Sequence, residues 1–197
     1  MKETMTIGRL LRSSTAGYVF GCSVPEPEVP YFGAFVKAPA QRGQTEVIGL
    51  IYDIVIQDDP FVRQMVATPD LDEAYLLDQR LNRNVPIEVS VLAVGYRHGA
   101  GMTAGLPPQP PVTLDSISPC SAAEVLEFTS RLDYLRLIFN SPEAPADDLI
   151  AVSLQQAAGA RPPEDRPRFL REAGRELARL LYRDLARLEN LLRRIRP

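Results

Sequence analysis

Alternating apolar and polar positions dominate the first 57 residues of the chain, and this pattern predicts half-buried β-strands. One face of the clearest repeat holds four apolar side chains: Tyr18, Phe20, Cys22 and Val24. The run from Val47 to Ile56 is apolar on both faces in its middle, so another element should cover its outer face. Three glycines interrupt the strand patterns, as is typical of bulges or barrel corners: Gly8, Gly33 and Gly49. Five aromatic residues are expected in the core of a small barrel: Tyr18, Phe20, Tyr31, Phe32 and Phe35.

The hydrophobic period lengthens after Pro60, which predicts a helical insertion at about 60–83 lying over the barrel. The period-two pattern returns from Val85 to Tyr96, and this strand should close the barrel. Residues 99–119 are rich in Gly and Pro, which predicts an extended, polyproline-like connector. We therefore divide the chain into a barrel domain, residues 1–115, and a helical region, residues 116–197.

Apolar residues at helical spacing fill the C-terminal region. One helix should run from Ser121 to Asn140, opened by a capping box in which Ser121 and Glu124 satisfy each other's backbone N–H groups. A second is predicted over 147–158, with Gly159 as its stop. The last should be continuous from Pro167 to Arg196, about 40 Å long, with a near-heptad apolar stripe. The predicted fold class is α+β: a small N-terminal β-barrel with a helical C-terminal region.

Charge is divided unevenly along the 197 residues, whose net charge is −3. Residues 1–160 carry 11 basic and 19 acidic side chains, whereas residues 161–197 carry 11 arginines and 6 acidic side chains. The body should therefore repel nucleic acid, while the C-terminal segment could attract it.

Five arginines recur every four residues on the last predicted helix: Arg171, Arg175, Arg179, Arg183 and Arg187. At this spacing neighbours share a helix face, so the row could contact phosphates or the carboxylates of a partner. Four acidic residues stand close enough to pair with several of them: Glu172, Glu176, Asp184 and Glu189. A solvated, salt-bridged face is the favoured interpretation, and nucleic-acid binding is the alternative.

Other chemistry-bearing residues have simpler structural interpretations. His98 has no recognised nucleophile beside it, and the acidic clusters Asp58–Asp59, Asp70–Glu73 and Asp147–Asp148 match no metal-binding spacing. Cys22 and Cys120 fit a reducing compartment. No apolar run approaches the roughly 20 residues of a membrane span, and the first residues lack the apolar core of a signal peptide. The sequence therefore predicts a cytoplasmic protein with no metal, no cofactor and no membrane contact.

The strand order resembles a known family of barrels. The motifs that carry the likeness are the Ile7-Gly8 start, the Ser13-Ser14-Thr15 turn, the Gly33-Ala34-Phe35-Val36 strand and the Ile48-Gly49-Leu50-Ile51 strand. Residues 4–115 are similar in these features to the HAS barrel, the N-terminal module of HerA-like DNA-translocating ATPases and of ATP synthase catalytic subunits. The resemblance implies ring assembly and, as in HerA, docking of a partner nuclease of the NurA kind.

The chain lacks the sequence that would make such a barrel part of a motor. A nucleotide-hydrolysing relative needs a Gly-x-x-x-x-Gly-Lys-Ser/Thr loop, whose N–H groups and lysine hold the phosphates. The two lysines, Lys2 and Lys37, do not follow a glycine. We expect a non-catalytic adaptor or assembly module, with a protein partner such as a nuclease or an ATPase, that forms homo-oligomers. The alternatives are a nucleic-acid-binding accessory protein using the arginine row and an enzyme with a site at the barrel mouth.

Overall fold

A computed structural model of the chain describes residues 5–22, 30–56, 72 and 87–196. Seven strands are present among them: β1 (Gly8–Ser13), β2 (Gly17–Cys22), β3 (Phe35–Ala40), β4 (Thr45–Ile56), β5 (Ile87–His98), β6 (Gly101–Ala104) and β7 (Ser116–Pro119). Five helices follow: α1 (Ala122–Phe128), α2 (Leu135–Phe139), α3 (Ala146–Gly159), α4 (Arg166–Leu180) and α5 (Leu185–Arg194). The α+β class is confirmed.

Six of the strands close into an antiparallel barrel in the order β2-β1-β7-β3-β4-β5, and β5 pairs again with β2. Closure depends on the length of β5, which pairs with β4 along its whole length. Its first half, Ile87–Leu92, also pairs with β2, and its second half, Gly95–His98, pairs with β6. The prediction that this strand closes the barrel is confirmed.

Two hydrophobic cores share the barrel wall. The inner core fills the barrel with side chains such as Tyr18, Phe20 and Val47. The outer core lies between the helices and the outward faces of β3, β4 and β5. Ile48 and Leu50 of β4 belong to it and are 2% and 0% exposed. The predicted cover over β4 is therefore present, and within the described residues it is the C-terminal helices that provide it.

The aromatic residues divide between these two cores and the surface. Tyr18 and Phe20 lie inside the barrel as predicted. Phe35 points outward instead, with its ring centroid 6.1 Å from that of Tyr134, and Phe32 packs against the same outer core. Tyr31 is 62% exposed, so its assignment to the barrel core is wrong. Because helices bury the outward face of β3, Phe35 is buried there and not in the barrel interior.

Two of the glycines are required by local geometry. Gly49 lies at a register shift between β4 and β5, where a Cβ would collide with Val91, so the predicted bulge is confirmed. Gly33 lies in the turn before β3 with a φ of 81°, a conformation that favours glycine.

The predicted connector over 99–119 is wrong at both ends, whereas residues 105–115, which include the Pro-rich centre, form neither helix nor strand. This segment contains β6, which forms a hairpin with β5, and β7, which pairs with both β1 and β3. Ser116 and Ile117 pair with β1, and Ser118 and Pro119 pair with β3, so partners that are distant in sequence hold β7 and a composition rich in Pro does not reveal them. The barrel therefore extends to Pro119.

The helix predicted from Ser121 to Asn140 is two helices, α1 and α2. Its capping box is confirmed, because the Ser121 side chain accepts from the Glu124 N–H and the Glu124 carboxylate accepts from the Ser121 N–H. The helix ends at Thr129, where the guanidinium of Arg161 donates to the Thr129 carbonyl at 2.9 Å and to its hydroxyl at 3.0 Å. Arg161 thus satisfies the Thr129 carbonyl, which in a continuing helix would accept a backbone N–H.

The helix predicted from Pro167 to Arg196 is also two helices. The chain turns after Leu181, and the Asp184 carboxylate caps α5 by accepting from the Arg187 N–H at 3.1 Å. α5 then packs back on α4, so that Leu192 Cδ2 lies 3.2 Å from the position a Cβ would take at Gly174. The helix predicted over 147–158 is confirmed as α3.

Two predictions fall outside the described residues: the helical insertion at about 60–83 and the position of Val24. No helix in the described part of the chain is long and apolar enough to cross a bilayer.

Candidate functional site

A cavity of about 520 Å³ opens at the end of the barrel, where the β1–β2 turn, the middle of β5 and the α2–α3 loop meet. Its apolar wall includes Leu92 of β5, Leu137 of α2 and Leu106 from the loop after β6. Small-molecule sites in proteins typically measure roughly 300 to 1,000 Å³. The cavity is thus large enough for a small ligand, and we call it the barrel-end cavity.

One wall of the barrel-end cavity carries a tyrosine–glutamate pair. The Tyr52 hydroxyl, on β4, donates to Glu143 Oε2 in the α2–α3 loop at 2.9 Å. Partial burial raises the pKa of Tyr52, and the hydrogen bond to the negatively charged Glu143 raises it further. The phenol therefore stays protonated and serves as a donor.

Other polar groups of the cavity are held by the protein itself. The Ser13 hydroxyl donates to the Pro111 carbonyl at 2.7 Å, and the Ser14 hydroxyl accepts from the Ala16 N–H at 3.2 Å. Arg12 pairs with Glu88 at 3.1 Å. These contacts fix the β1–β2 turn at the rim of the cavity.

A second polar site lies on the outside of the barrel under α1. This charged cluster consists of five residues: Lys37, Glu46, Arg97, Glu124 and Glu127. Lys37 Nζ lies 2.5 Å from Glu124 Oε1 and 3.2 Å from Glu46 Oε1, and Arg97 pairs with Glu127 at 3.2 Å. The cluster thus joins three strands to the first helix.

Burial and hydrogen bonding shift the pKa values of the charged cluster in opposite directions. Burial alone would lower the pKa of Lys37, but its hydrogen bonds to Glu124 and Glu46 leave the pKa above its ordinary value. Burial would raise the pKa of Glu124, but hydrogen bonds from Lys37 and Ser121 leave it lowered. Both groups are therefore charged near neutral pH. Burial, together with the charge of Glu124, raises the pKa of the neighbouring Cys120 thiol to about 12, so this thiol is a poor nucleophile.

The predicted arginine row is not one continuous stripe. Arg171, Arg175 and Arg179 lie exposed on α4, Arg183 lies on the turn after it, and Arg187 lies on α5. Arg179 pairs with Glu176 at 2.9 Å, and Arg187 pairs with Asp147 of α3 at 2.7 Å. The turn at Leu181–Asp184 interrupts the row because it changes the direction of the helix axis.

His98 and some of the clustered carboxylates lie within the described residues. His98 ends β5 on the surface, with Nδ1 3.2 Å from the Thr45 hydroxyl. Asp147 and Asp148 open α3, and Asp148 pairs with Arg194 at 2.6 Å. Within the described ranges no three acidic, histidine or cysteine residues come together as a metal site. Four of the clustered carboxylates lie outside those ranges: Asp58, Asp59, Asp70 and Glu73.

The tyrosine–glutamate pair and the charged cluster were not found from the sequence. Tyr52 and Glu143 are 91 residues apart, and Lys37 and Glu124 are 87 apart. The only sequence signal was Glu124 itself, which the capping box identified for a different reason.

Comparison with known proteins finds no matching protein-family model and no matching curated protein.

Proposed function

We propose that this chain is a non-catalytic adaptor or assembly module that binds another protein through an apolar surface beside β1. The surface consists of Leu11, Val112 and Leu114, and we call it the β1 surface. These side chains are 43%, 60% and 70% exposed. Their exposure is the observation that carries the proposal, because clustered apolar side chains on a protein surface mark interaction sites.

Hydrogen bonds place the loop that carries Val112 and Leu114 beside β1. The loop after β6 runs along β1, since the Leu114 N–H donates to the Leu10 carbonyl at 2.9 Å. The Ser13 hydroxyl holds the same loop through the Pro111 carbonyl. Leu10 faces the barrel core, whereas the exposed Leu11 side chain lies over Gly21 of β2, with Cδ1 3.5 Å from the position that a Cβ would take there.

A basic group borders the β1 surface and indicates the chemistry of the partner. Arg9 donates to Ser116 Oγ at 2.6 Å and to the Leu114 carbonyl at 3.3 Å. Among the described residues no carboxylate pairs with it. The partner that fits is a protein segment with apolar side chains flanked by carboxylates.

The resemblance to the HAS barrel suggests the setting. A detached barrel of that kind would join a protein partner such as a nuclease or an ATPase, in DNA processing of the HerA and NurA type. We further propose that the chain acts in the cytoplasm without catalysis or a cofactor.

Nucleic-acid binding is the second candidate function. Arg171, Arg175 and Arg183 are exposed and have no carboxylate partner within the described ranges, which leaves three cations for phosphates. Replacing the three by Gln should weaken sub-micromolar DNA binding and flatten its salt dependence by about three units if the row serves DNA. We expect no such tight binding at physiological salt.

Site-specific photo-cross-linking tests the adaptor function. A benzophenone amino acid at Val112 should give a discrete adduct with one other protein in the native cells, identifiable by mass spectrometry. The matched control places the same group at Arg131, which is exposed on the α1–α2 turn. Equal adducts at both positions, or none at Val112, would contradict the proposal.

A further inference from the structure

We infer that the barrel-end cavity binds an amphipathic organic cation: a guanidinium or ammonium group on a short alkyl chain. This inference does not depend on the adaptor function. It uses a different surface, and the ligand could act alone or as a side chain of a partner.

The cavity offers apolar contact for the alkyl part. Leu92 of β5 is 9% exposed and Leu137 of α2 is half-buried, and together they form an apolar wall that an alkyl chain can contact. Leu106 is 53% exposed at the opening, where a ligand would cover it. Burying such apolar surface favours binding.

The charge at the opening favours a cation. Glu143 accepts one hydrogen bond, from the neutral Tyr52 hydroxyl to Oε2, and within the described residues no cation pairs with it. Asp53, next to Tyr52 on β4 but outside the cavity lining, accepts the N–H of Ile54, and among the described residues no cation pairs with it. Both carboxylates contribute to the raised pKa of Tyr52. The arginine at the cavity, Arg12, is already paired with a carboxylate.

The geometry around Glu143 supplies the rest of a cation site. Because Tyr52 occupies Oε2, Oε1 is available for a guanidinium or ammonium donor. The Tyr52 ring forms part of the same wall, and aromatic faces attract cations. An anion would meet the Glu143 carboxylate, for which the described residues supply no cation, and a neutral ligand would leave that charge unmatched.

Titration of the full chain with n-butylguanidinium, followed by two-dimensional amide NMR, tests the inference. At constant ionic strength we expect saturable shifts that cluster at Ser14, Tyr52 and Glu143. Pentanoate, which has a similar chain and the opposite charge, should bind at least about tenfold more weakly, since a charge-assisted hydrogen bond is lost. Equal or tighter binding of pentanoate, or no saturable shift with the cation, would overturn the proposal.

Two variants locate the effect. Glu143→Gln should weaken butylguanidinium binding about tenfold while the unfolding temperature stays close to that of the wild type. Asp133→Asn removes another exposed carboxylate, paired with Arg131, and should leave binding unchanged. A Glu143→Gln variant that binds as well as the wild type would also overturn the proposal.

The peptide acetyl-Gly-Arg-Gly-amide distinguishes the two sources of the cation. Tighter binding of the peptide than of butylguanidinium would support an arginine side chain presented by a partner. Weaker binding at the same residues would support a free small cation.

Discussion

Arg187 of α5 donates through Nε to Asp147 of α3 across 2.7 Å, and its guanidinium lies 5.0 Å from the ring centre of Phe139. This contact fastens the last helix to the middle of the helical region. Arg187, a member of the arginine row, thus forms a tertiary contact and is not a free surface charge.

Replacing Arg187 with Gln should therefore cost stability. We expect a loss of about 0.5 to 1.5 kcal/mol in the free energy of unfolding, because the pair is partly buried and also packs on an aromatic ring. Arg183→Gln is the control, since Arg183 is exposed and should change stability by less than about 0.5 kcal/mol. Urea unfolding measures both. Equal effects would show that the Arg187 contact has no energetic role.

The shared outer core predicts that barrel and helices unfold together. Leu154 of α3 is fully buried in the same cluster as Leu50 of β4. Leu154→Ala should cost about 2 to 5 kcal/mol, and the transitions of helical circular dichroism and of tyrosine fluorescence should shift together. Leu126→Ala, at a position 41% exposed, should have a much smaller effect. Separate transitions would mean that the helical region folds independently.

The charged cluster predicts how stability depends on pH. The pKa of Glu124 is lowered in the folded state, so its contribution is present above its unfolded value and is lost as the pH falls through the lowered folded value. At neutral pH Glu124→Gln should cost about 1 to 2 kcal/mol, since both the cap and the ion pair are affected. The difference from the wild type should shrink in acid.

Lys37 sets the alkaline limit of the same effect. Its pKa is raised, so its contribution is present below its unfolded value of 10.5 and is lost as the pH rises through the folded value.

Chemical unfolding from pH 3 to pH 8 tests the acid limb, with Glu127→Gln as the more exposed control. A difference between Glu124→Gln and the wild type that is the same across this range would contradict the electrostatic explanation.

The sequence predicted correctly those features that depend on residues close together in the chain. Alternation identified Tyr18 and Phe20 as lumen residues, and the spacing of Ser121 and Glu124 identified a helix start. It failed where two structures share one pattern. Apolar spacing between Leu177 and Leu192 fits a continuous helix as well as two helices folded on each other, and the turn depends on the cap at Asp184.

The barrel-end cavity could not be predicted for a related reason. Its defining contact joins Tyr52 of β4 to Glu143 of a distant loop. Which loop meets which strand is decided by how the helices pack on the outer face of the barrel. No local spacing contains that information.

We also expect the protein to self-associate, through exposed residues at the α4–α5 turn. The apolar stripe of the predicted long helix is mostly buried within the chain, whereas Tyr182 and Leu185 at the α4–α5 turn remain 64% and 70% exposed. We expect a homo-oligomer that is weakened by replacing both with Ser. Light scattering that gives 21.8 kDa at every accessible concentration would rule the oligomer out.

The central claim is that the β1 surface binds a protein partner, and loss of the complex on targeted substitution tests it most directly. Tagged wild-type chain, a Val112→Asp and Leu114→Asp double variant, and a Leu126→Asp control would be purified from the native cells at equal levels, after their folds are matched by circular dichroism. We predict that the partner identified by cross-linking at Val112 is recovered with the wild type and the control and is reduced at least about tenfold with the double variant. Equal recovery of that partner by the double variant would contradict the account.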